Sequence, residues 1–350
     1  MVPQPDKLRE LLGTELPIVQ APMAGVQGSA LAIAVSNAGA VGSLACAMLT
    51  PDGIRDELTR ITARTSRPYN VNFFCHRPPA PDGEREAAWR RILAPYYLEF
   101  GIDPTSIPAG PGRAPFDNDA ADVLSTFKPP IVSFHFGLPS AELLGRIRSW
   151  RPVVMCSATT IDEAQWLEAH GADVIIAQGV EAGGHRGMFL TDEVTTQMGT
   201  FALLPQIVST VRVPVLAAGG IADGAGVVAA LSLGAAGVQI GTSYLLCPEA
   251  TTSAVHRAAL TSPAARHTAL TNVFTGRPAR GIVNRMIAEV GPLNRAVPTF
   301  PLATSAVMPL RAQAESRGSG DFSPLWAGQN TTGCQERPAR EITRELASRL

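Results

Sequence analysis

Eight short apolar runs, most of them followed by a stretch of helical character, constrain this chain more than any single motif. The runs are 17–22 (PIVQAP), 41–47 (VGSLACA), 69–74 (YNVNFF), 131–136 (IVSFHF), 153–158 (read from Pro152 as PVVMCSA), 173–178 (DVIIAQ), 214–218 (PVLAA) and 237–243 (GVQIGTS). Helical patterns fall at 30–38, 52–64, 84–99, 140–149, 161–170, 200–210 and 224–234. The helix at 161–170 opens with Thr160 and Glu163, the spacing of a capping box, and Gly171 closes it. Alternation of this kind requires parallel strands with helices outside them. Eight such units in about 250 residues predict an α/β fold of the TIM (β/α)8 barrel type. An open doubly wound sheet is the rival, weakened because no Gly-x-Gly-x-x-Gly follows the first run.

Two segments fall outside the repeat. Residues 101–120, rich in Pro and Gly, read as a lid-like insertion. Residues 247–350 read as a C-terminal extension folded over the barrel mouth. It would hold a helix at 249–260, an irregular Pro-rich part at 289–310 and a final amphipathic helix at 336–349. The expected organisation is therefore a barrel over 1–246 and an extension over 247–350 that completes the active site. A net charge of −1 without a basic block argues against nucleic acid. No apolar run reaches the roughly 18 residues of a membrane span, and the N-terminus lacks the apolar centre of a signal peptide. Five scattered cysteines with no Cys-x-x-Cys pair suggest buried thiols in a cytoplasmic protein.

Chemistry in such a barrel gathers at the C-terminal ends of the strands. The first run ends Gln20-Ala21-Pro22-Met23-Ala24-Gly25, small enough for a planar ligand to lie against the backbone. Asn72 on the third run and Gln178 on the sixth offer side-chain amides that can pair with a heteroaromatic edge. The seventh ends Gly219-Gly220 and leads into a helix at about 224. The eighth ends Gln239-Ile240-Gly241-Thr242-Ser243. The last two are the usual phosphate position of these barrels, where backbone amides and a helix N-terminus hold a dianion. Phosphate there and amides on two other strands suit a phosphorylated planar cofactor such as FMN, with a phosphorylated sugar as the competing ligand.

The segment VIIAQGVEAGGHRG (174–187) runs from a buried strand into a turn with Gly183, Gly184 and His185. These two glycines are expected to make room for the ring of the cofactor. Histidine is the natural base at neutral pH. Of six histidines, His185 is the best candidate and His135 the second. His76 reads as structural, and His170, His256 and His267 as surface residues. No two histidines stand at metal-ligand spacing with a carboxylate, so no metal is expected. No nucleophile elbow is present.

Seven motifs carry a resemblance: QAPMAGV (20–26), VSNAGAVGS (35–43), YNVNFFCHRP (69–78), SFHFGLP (133–139), AQGVEAGGHRG (177–187), AAGGIADG (217–224) and QIGTSYLLCPE (239–249). Together, and with WAGQ (326–329), they resemble the nitronate monooxygenases, formerly 2-nitropropane dioxygenases, with class I members the better match. The resemblance implies a TIM barrel with FMN and no metal, oxidising alkyl nitronates such as propionate 3-nitronate with O2 to a carbonyl compound and nitrite. It places cofactor contacts on Pro22, Met23, Ala24, Asn72, Gln178, Gly183, Gly219, Gly220, Gln239, Ile240, Gly241 and Thr242. His185 maps to the catalytic histidine and His135 to a second one.

One departure stands out. Bacterial class I members carry Tyr and Lys in the tail and a Tyr in the lid. Here 299–311 reads TFPLATSAVMPLR and 101–120 holds no tyrosine. A more apolar substrate pocket is expected, with the small anionic substrate less secure than the flavin. The same barrel and glycine turns serve NAD(P)H-dependent FMN oxidoreductases of the enoyl-ACP reductase or quinone reductase type, which is the alternative function. A flavin-binding barrel with little turnover is a third.

Overall fold

A computed structural model describes residues 4–107 and 113–350; residues 108–112 of the expected lid lie outside them. The strands in chain order are β1 (Ile18–Gln20), β2 (Gly42–Ala45), β3 (Tyr69–Phe74), β4 (Ile131–His135), β5 (Val153–Ala158), β6 (Val174–Gln178), β7 (Gly184–His185), β8 (Val215–Ala218), β9 (Gly237–Ile240), β10 (Thr268–Thr271) and β11 (Ala279–Ile282). All but β7, β10 and β11 form one eight-stranded parallel sheet. The sheet closes through Val41, whose N–H donates to Ile18 O at 2.9 Å while its carbonyl accepts from Gln20 N at 2.8 Å. The eight sequence runs are its eight strands, and the fold is the TIM barrel.

The runs are apolar because the strands are buried on both faces, as parallel strands under helices must be. Inside the lower barrel, Val19, Val41, Ile131, Met155, Val174, Ile176 and Leu216 form one cluster. Leu8 and Leu12 of an N-terminal helix, Gln4–Leu12, join that cluster from below. Too short to stand out by pattern, this helix is recruited by burial of its two leucines.

Two helical assignments change. The helix at 84–99 exists as Gly83–Phe100, but it does not form the barrel wall between β3 and β4. It buries Trp89, Leu93 and Tyr97 against Val273, Phe274, Met286, Val307 and Leu310 of the extension. The Tyr97 hydroxyl donates to Ala306 O at 2.7 Å. The wall position is held by Asn118–Phe127, capped by Asp117, which accepts from Ala120 N at 2.9 Å, and seated on the barrel through Ala121, Val123 and Leu124. Its first turn falls inside the window expected to be lid, because Pro and Gly just upstream mask its apolar stripe.

The extension differs from expectation as well. Residues 289–310 are not wholly irregular, since Thr304–Ser316 is a helix that continues through Pro309. Burial of Ala306, Val307, Leu310 and Ala314 outweighs the proline. β10 and β11 form an antiparallel hairpin, and β11 pairs with β7, so the extension reaches the segment carrying His185. The last helix, Ala339–Leu346, lies against the barrel wall and sinks Ala339, Ile342 and Leu346 into the main core.

The capping box is half realised. Thr160 Oγ1 accepts from Glu163 N at 3.2 Å. The fully buried Glu163 carboxylate turns elsewhere, accepting from Thr159 N, Thr159 Oγ1, Phe189 N and Leu190 N. It ties the top of β5 to the loop that follows β7.

Among the glycines of the described residues, an added Cβ meets backbone most closely at Gly42, where it would lie 2.0 Å from Ala32 O. Gly42→Ala is expected to lower stability by at least about 2 kcal/mol, because the neighbour is a helix backbone and not a side chain. Gly145→Ala, with nothing within 4 Å of the new carbon, serves as the control and should be neutral or slightly stabilising. Urea midpoints of the two variants against the parent measure this.

Candidate active site

Above the apolar layer the barrel interior turns polar. Asn70 Nδ2 donates to Ser43 Oγ at 3.0 Å and to Ser133 Oγ at 2.9 Å. Asn72 Nδ2 shares Ser133, reaching Oγ at 2.9 Å and O at 3.2 Å. This belt holds Asn72 at the floor of a cavity of about 1300 Å³, counted to its open mouth. Every site residue named from the sequence lines that cavity: Pro22, Met23, Ala24, Asn72, His135, Gln178, Gly183, His185, Gly219, Gly220, Gln239, Ile240, Gly241 and Thr242. Six barrel strands and the adjoining β7 deliver them, so closure of the barrel is what brings them together.

The 174–187 segment folds as a clasp. Gln178, last residue of β6, donates through Nε2 to His185 O at 2.9 Å and accepts through Oε1 from Gly187 N at 2.7 Å. The fully buried Arg186 donates to Gln178 O at 2.6 Å, Gly179 O at 2.7 Å and Gln197 Oε1 at 2.8 Å. Its acceptors are all neutral, and burial pulls its pKa down to about 9. Gly184 supplies a left-handed turn at φ 72°. Gly183 lines the cavity and also faces the extension. A Cβ there would lie 2.6 Å from Ala327 C and Gly328 N, so the glycine admits the backbone of the extension.

Within the clasp, His185 is 9% exposed, and its Nε2 lies 2.9 Å from Thr275 Oγ1. That leaves Nδ1 for the cavity. Burial, then the charges of Arg113 and Arg277 with His135 and His76 nearby, hold its pKa well below the ordinary imidazole value. His135 has both nitrogens engaged, Nε2 with His185 O and Nδ1 with Ser157 Oγ, each at 3.1 Å. Since a carbonyl only accepts, Nε2 carries the proton and Nδ1 accepts from the serine. Burial lowers the His135 pKa to about 4, against the opposing effect of its bond to the His185 carbonyl.

At the opposite end, the expected anion site takes a different form. The helix Gly224–Ser232 is capped by the Asp223 carboxylate, which accepts from Gly226 N at 2.8 Å. A negative charge already occupies that helix start, so it does not serve a phosphate. The turns remain. Among the described residues, the backbone N–H groups of Gly220, Gly241 and Thr242 have no backbone acceptor. Thr242 Oγ1 and the Gly220 carbonyl are held by Gly328 N and Asn330 Nδ2, each at 3.0 Å. Gln239 Oε1 is buried without a partner among the described residues.

Aromatic rings gather around His185. Phe74, Phe136, Phe300 and Trp326 all lie 5.3–6.0 Å from the His185 ring. Of these rings Phe74 and Trp326 line the cavity, while Phe136 and Phe300 are buried beside them. Arg277 stacks 4.1 Å from the Phe136 ring centre, and Arg113 stands 5.8 Å from that of Phe300. His256 is a correction: instead of facing solvent it is 4% exposed and lines the cavity beside Trp326. It shares a helix face with the buried Leu260, four residues on. His170 and His267 are exposed as expected. Arg113, Thr275, His256 and Asn330 are site residues that sequence reading missed. Only the one-turn spacing of His256 and Leu260 gave any signal in advance.

Comparison with known proteins agrees with this geometry. The nitronate monooxygenase family model matches residues 6–348. A nitronate monooxygenase of Pseudomonas aeruginosa is 42% identical, covering 99% of each chain. One from Paraburkholderia phytofirmans is 41% identical, covering 98% of this chain and 94% of that protein. Among solved structures, nitroalkane oxidase from Streptomyces ansochromogenes superposes with a TM-score of 0.88 at 38% identity, covering 98% and 97% of the two chains. FabK from Thermotoga maritima gives 0.70 at 25% identity, covering 98% of this chain and 95% of that one. The chain belongs to the nitronate monooxygenase family of oxidoreductases.

Proposed function

We propose that the protein is an FMN-dependent nitronate monooxygenase that oxidises alkyl nitronates with O2 to a carbonyl compound and nitrite. The observation that carries this reading is an uncharged, buried His185 facing a cavity whose far end offers unpaired backbone amides. The residues present fit FMN. Gly220, Gly241 and Thr242 supply donors for a phosphate without a lysine or arginine. The orphaned Gln239 Oε1 is an acceptor awaiting a donor from a ring edge. Pro22, Met23 and Ala24 leave open backbone at the first strand's end. Bound there, FMN supplies the electron acceptor that hands electrons on to O2.

The remaining work falls to the chain. Toward a nitroalkane, His185 acts as general base: Nε2–H donates to Thr275 Oγ1, and the Nδ1 lone pair takes the α-proton, leaving the nitronate anion. Toward a nitronate, the Thr275 hydroxyl donates to Nε2 instead, and Nδ1–H donates to a nitro oxygen. The same pair serves both, since a hydroxyl can give or receive. His135 acts through His185: it holds the carbonyl of that residue and is a positioning group. Phe74, Phe136 and Phe300 exclude water around the reacting carbon and so strengthen these hydrogen bonds.

Anaerobic mixing tests the reading. Propionate 3-nitronate is expected to change the flavin absorbance within one turnover, while NADH leaves it unchanged, and acid release should yield about one FMN per chain. Rapid bleaching by NADH with no response to the nitronate would overturn the proposal in favour of a reductase.

His185→Asn is expected to keep FMN and lose roughly 10²–10⁴-fold in kcat/KM for nitroalkanes, the usual worth of a general base. An unchanged kcat/KM would remove His185 from the chemistry.

Neutral histidines also set a pH signature. The His185 pKa is depressed, so its acid limb in kcat/KM should lie well below 6.5. His76, His135 and His256 are depressed to about 4 by burial. The unfolded chain takes up those protons near pH 6.5, before the folded one does. Stability is therefore present in full above about 6.5 and is lost as pH falls toward about 4, with a slope of about 1.4 kcal/mol per unit for each such group. Urea midpoints across that range measure it; a flat profile would contradict the assigned protonation.

A further inference from the structure

Resting on the reading above, the turn that meets His185 carries a device for choosing its tautomer. Thr275 begins that turn and Arg277 ends it, just before β11. The Thr275 hydroxyl has two neighbours, His185 Nε2 at 2.9 Å and Arg277 O at 3.5 Å, the outer limit of a hydrogen bond. A carbonyl only accepts, so when the hydroxyl donates to it, Oγ1 is left to accept from Nε2–H. Nδ1 then keeps its lone pair. The Arg277 carbonyl thus favours the one tautomer that can act as a base toward the cavity.

The Arg277 side chain is placed to hold that carbonyl. Its guanidinium carbon lies 4.1 Å from the centre of the Phe136 ring, and Nη2 donates to Met188 O. The residue is half-buried, yet its Nε is buried and has no partner among the described residues. Asp192 and Glu163 act on it from a distance, and neither is ion-paired with it. One ring face and one carbonyl are therefore what seat the cation.

An independent observation concerns that ring. Among the described residues, Lys128, Phe136 and Arg151 are the non-glycines with positive φ. Lys128 and Arg151 are exposed, whereas Phe136, at φ 71°, is 4% exposed. A bulky residue in the left-handed region is strained, and such strain persists where the surroundings over-determine it. Here the kink directly after His135 delivers the ring to the guanidinium and sets it 6.0 Å from the His185 ring. The cation is thereby close enough to oppose a charge on the imidazole, as do Arg113, His135 and His76, and no carboxylate acts against them.

We propose that Arg277 is a positioning residue for His185: seated on the Phe136 ring, it fixes the 275–277 turn so that the Thr275 hydroxyl is drawn to the Arg277 carbonyl, Nε2 carries the proton and Nδ1 stays bare. The dependence is selective. Nitroalkane turnover needs a bare Nδ1 and relies on Arg277, while a nitronate, with no proton to lose, relies on it less.

The test uses FMN-loaded enzyme with isotope-labelled histidine, whose ring-nitrogen chemical shifts report the tautomer at neutral pH. The His185 signals are those missing from His185→Asn. The parent should show Nε2 protonated and Nδ1 bare. Arg277→Met and Phe136→Leu should each give a mixture of tautomers, and Arg277→Lys should restore most of the parent pattern. Oxygen uptake gives a second readout: Arg277→Met should lower kcat for nitroethane roughly tenfold with little change in KM, and kcat for its nitronate by no more than about threefold. The double variant of Arg277→Met and Phe136→Leu should lose no more than the worse single one, since both remove the same contact. A parent with Nδ1 protonated, a tautomer unchanged by Arg277→Met, or equal losses on nitroalkane and nitronate would overturn the proposal. Should Arg277→Met fail to fold, Phe136→Leu, which keeps the charge, carries the same comparison. Where the parent takes only nitronates, the tautomer pattern decides. A tautomer that depends on Arg277 in an enzyme that turns over neither substrate sinks the proposed function but keeps the assignment. Turnover with a tautomer indifferent to Arg277 does the reverse.

Discussion

The clasp between Gln178 and the His185 segment is the interaction on which the site depends. One side-chain amide, at the end of a barrel strand, uses its donor on the His185 carbonyl and its acceptor on Gly187 N–H. Arg186 returns three hydrogen bonds, two of them to the end of the same strand and the turn after it. The segment is thereby folded against the barrel and not left as a surface loop. It then offers its outer edge, as β7, to the hairpin of the extension. The extension's second strand, its Thr275 and its 326–330 segment all reach the cavity through that contact. Loss of the clasp would free the catalytic candidate, the third strand of the small sheet and the cavity wall together.

Burial of positive and neutral nitrogen groups, none of them in an ion pair among the described residues, gives the site its electrostatic character. Arg186 is satisfied by neutral acceptors, and Arg277 and Arg113 lie against aromatic rings. Histidines in such surroundings stay uncharged, for desolvation and cationic neighbours push in the same direction. A neutral imidazole in a positive field suits proton abstraction that leaves an anion behind, because the field stabilises the product charge without protonating the base beforehand.

Much of this architecture was legible in advance, for identifiable reasons. Parallel strands buried on both faces must be apolar over their full length, which made the eight runs visible. Glycines at strand ends marked the cradle because positive φ at Gly219 and Gly220 admits little else. Other features were hidden. Trp89, Leu93 and Tyr97 mark an apolar helix face, but nothing in their spacing says whether it meets a barrel or an extension more than 170 residues away in the chain. His256 looked exposed because a single polar residue among alanines carries no sign of what lies opposite. Asp223 could be read as a helix start, yet its competition with a phosphate for that start emerges only from its hydrogen bond.

What the sequence determined by itself was the strand count, the parallel order and the strand ends that line the cavity, since all three follow from local periodicity and from which residues end each strand. The tertiary structure alone decided which nitrogen of each histidine is committed, which glycine yields to backbone and which to open space, and where Arg113 stands. Those outcomes rest on contacts between segments far apart in the chain. Their energies depend on distance, burial and the identity of the facing group, none of which local sequence encodes.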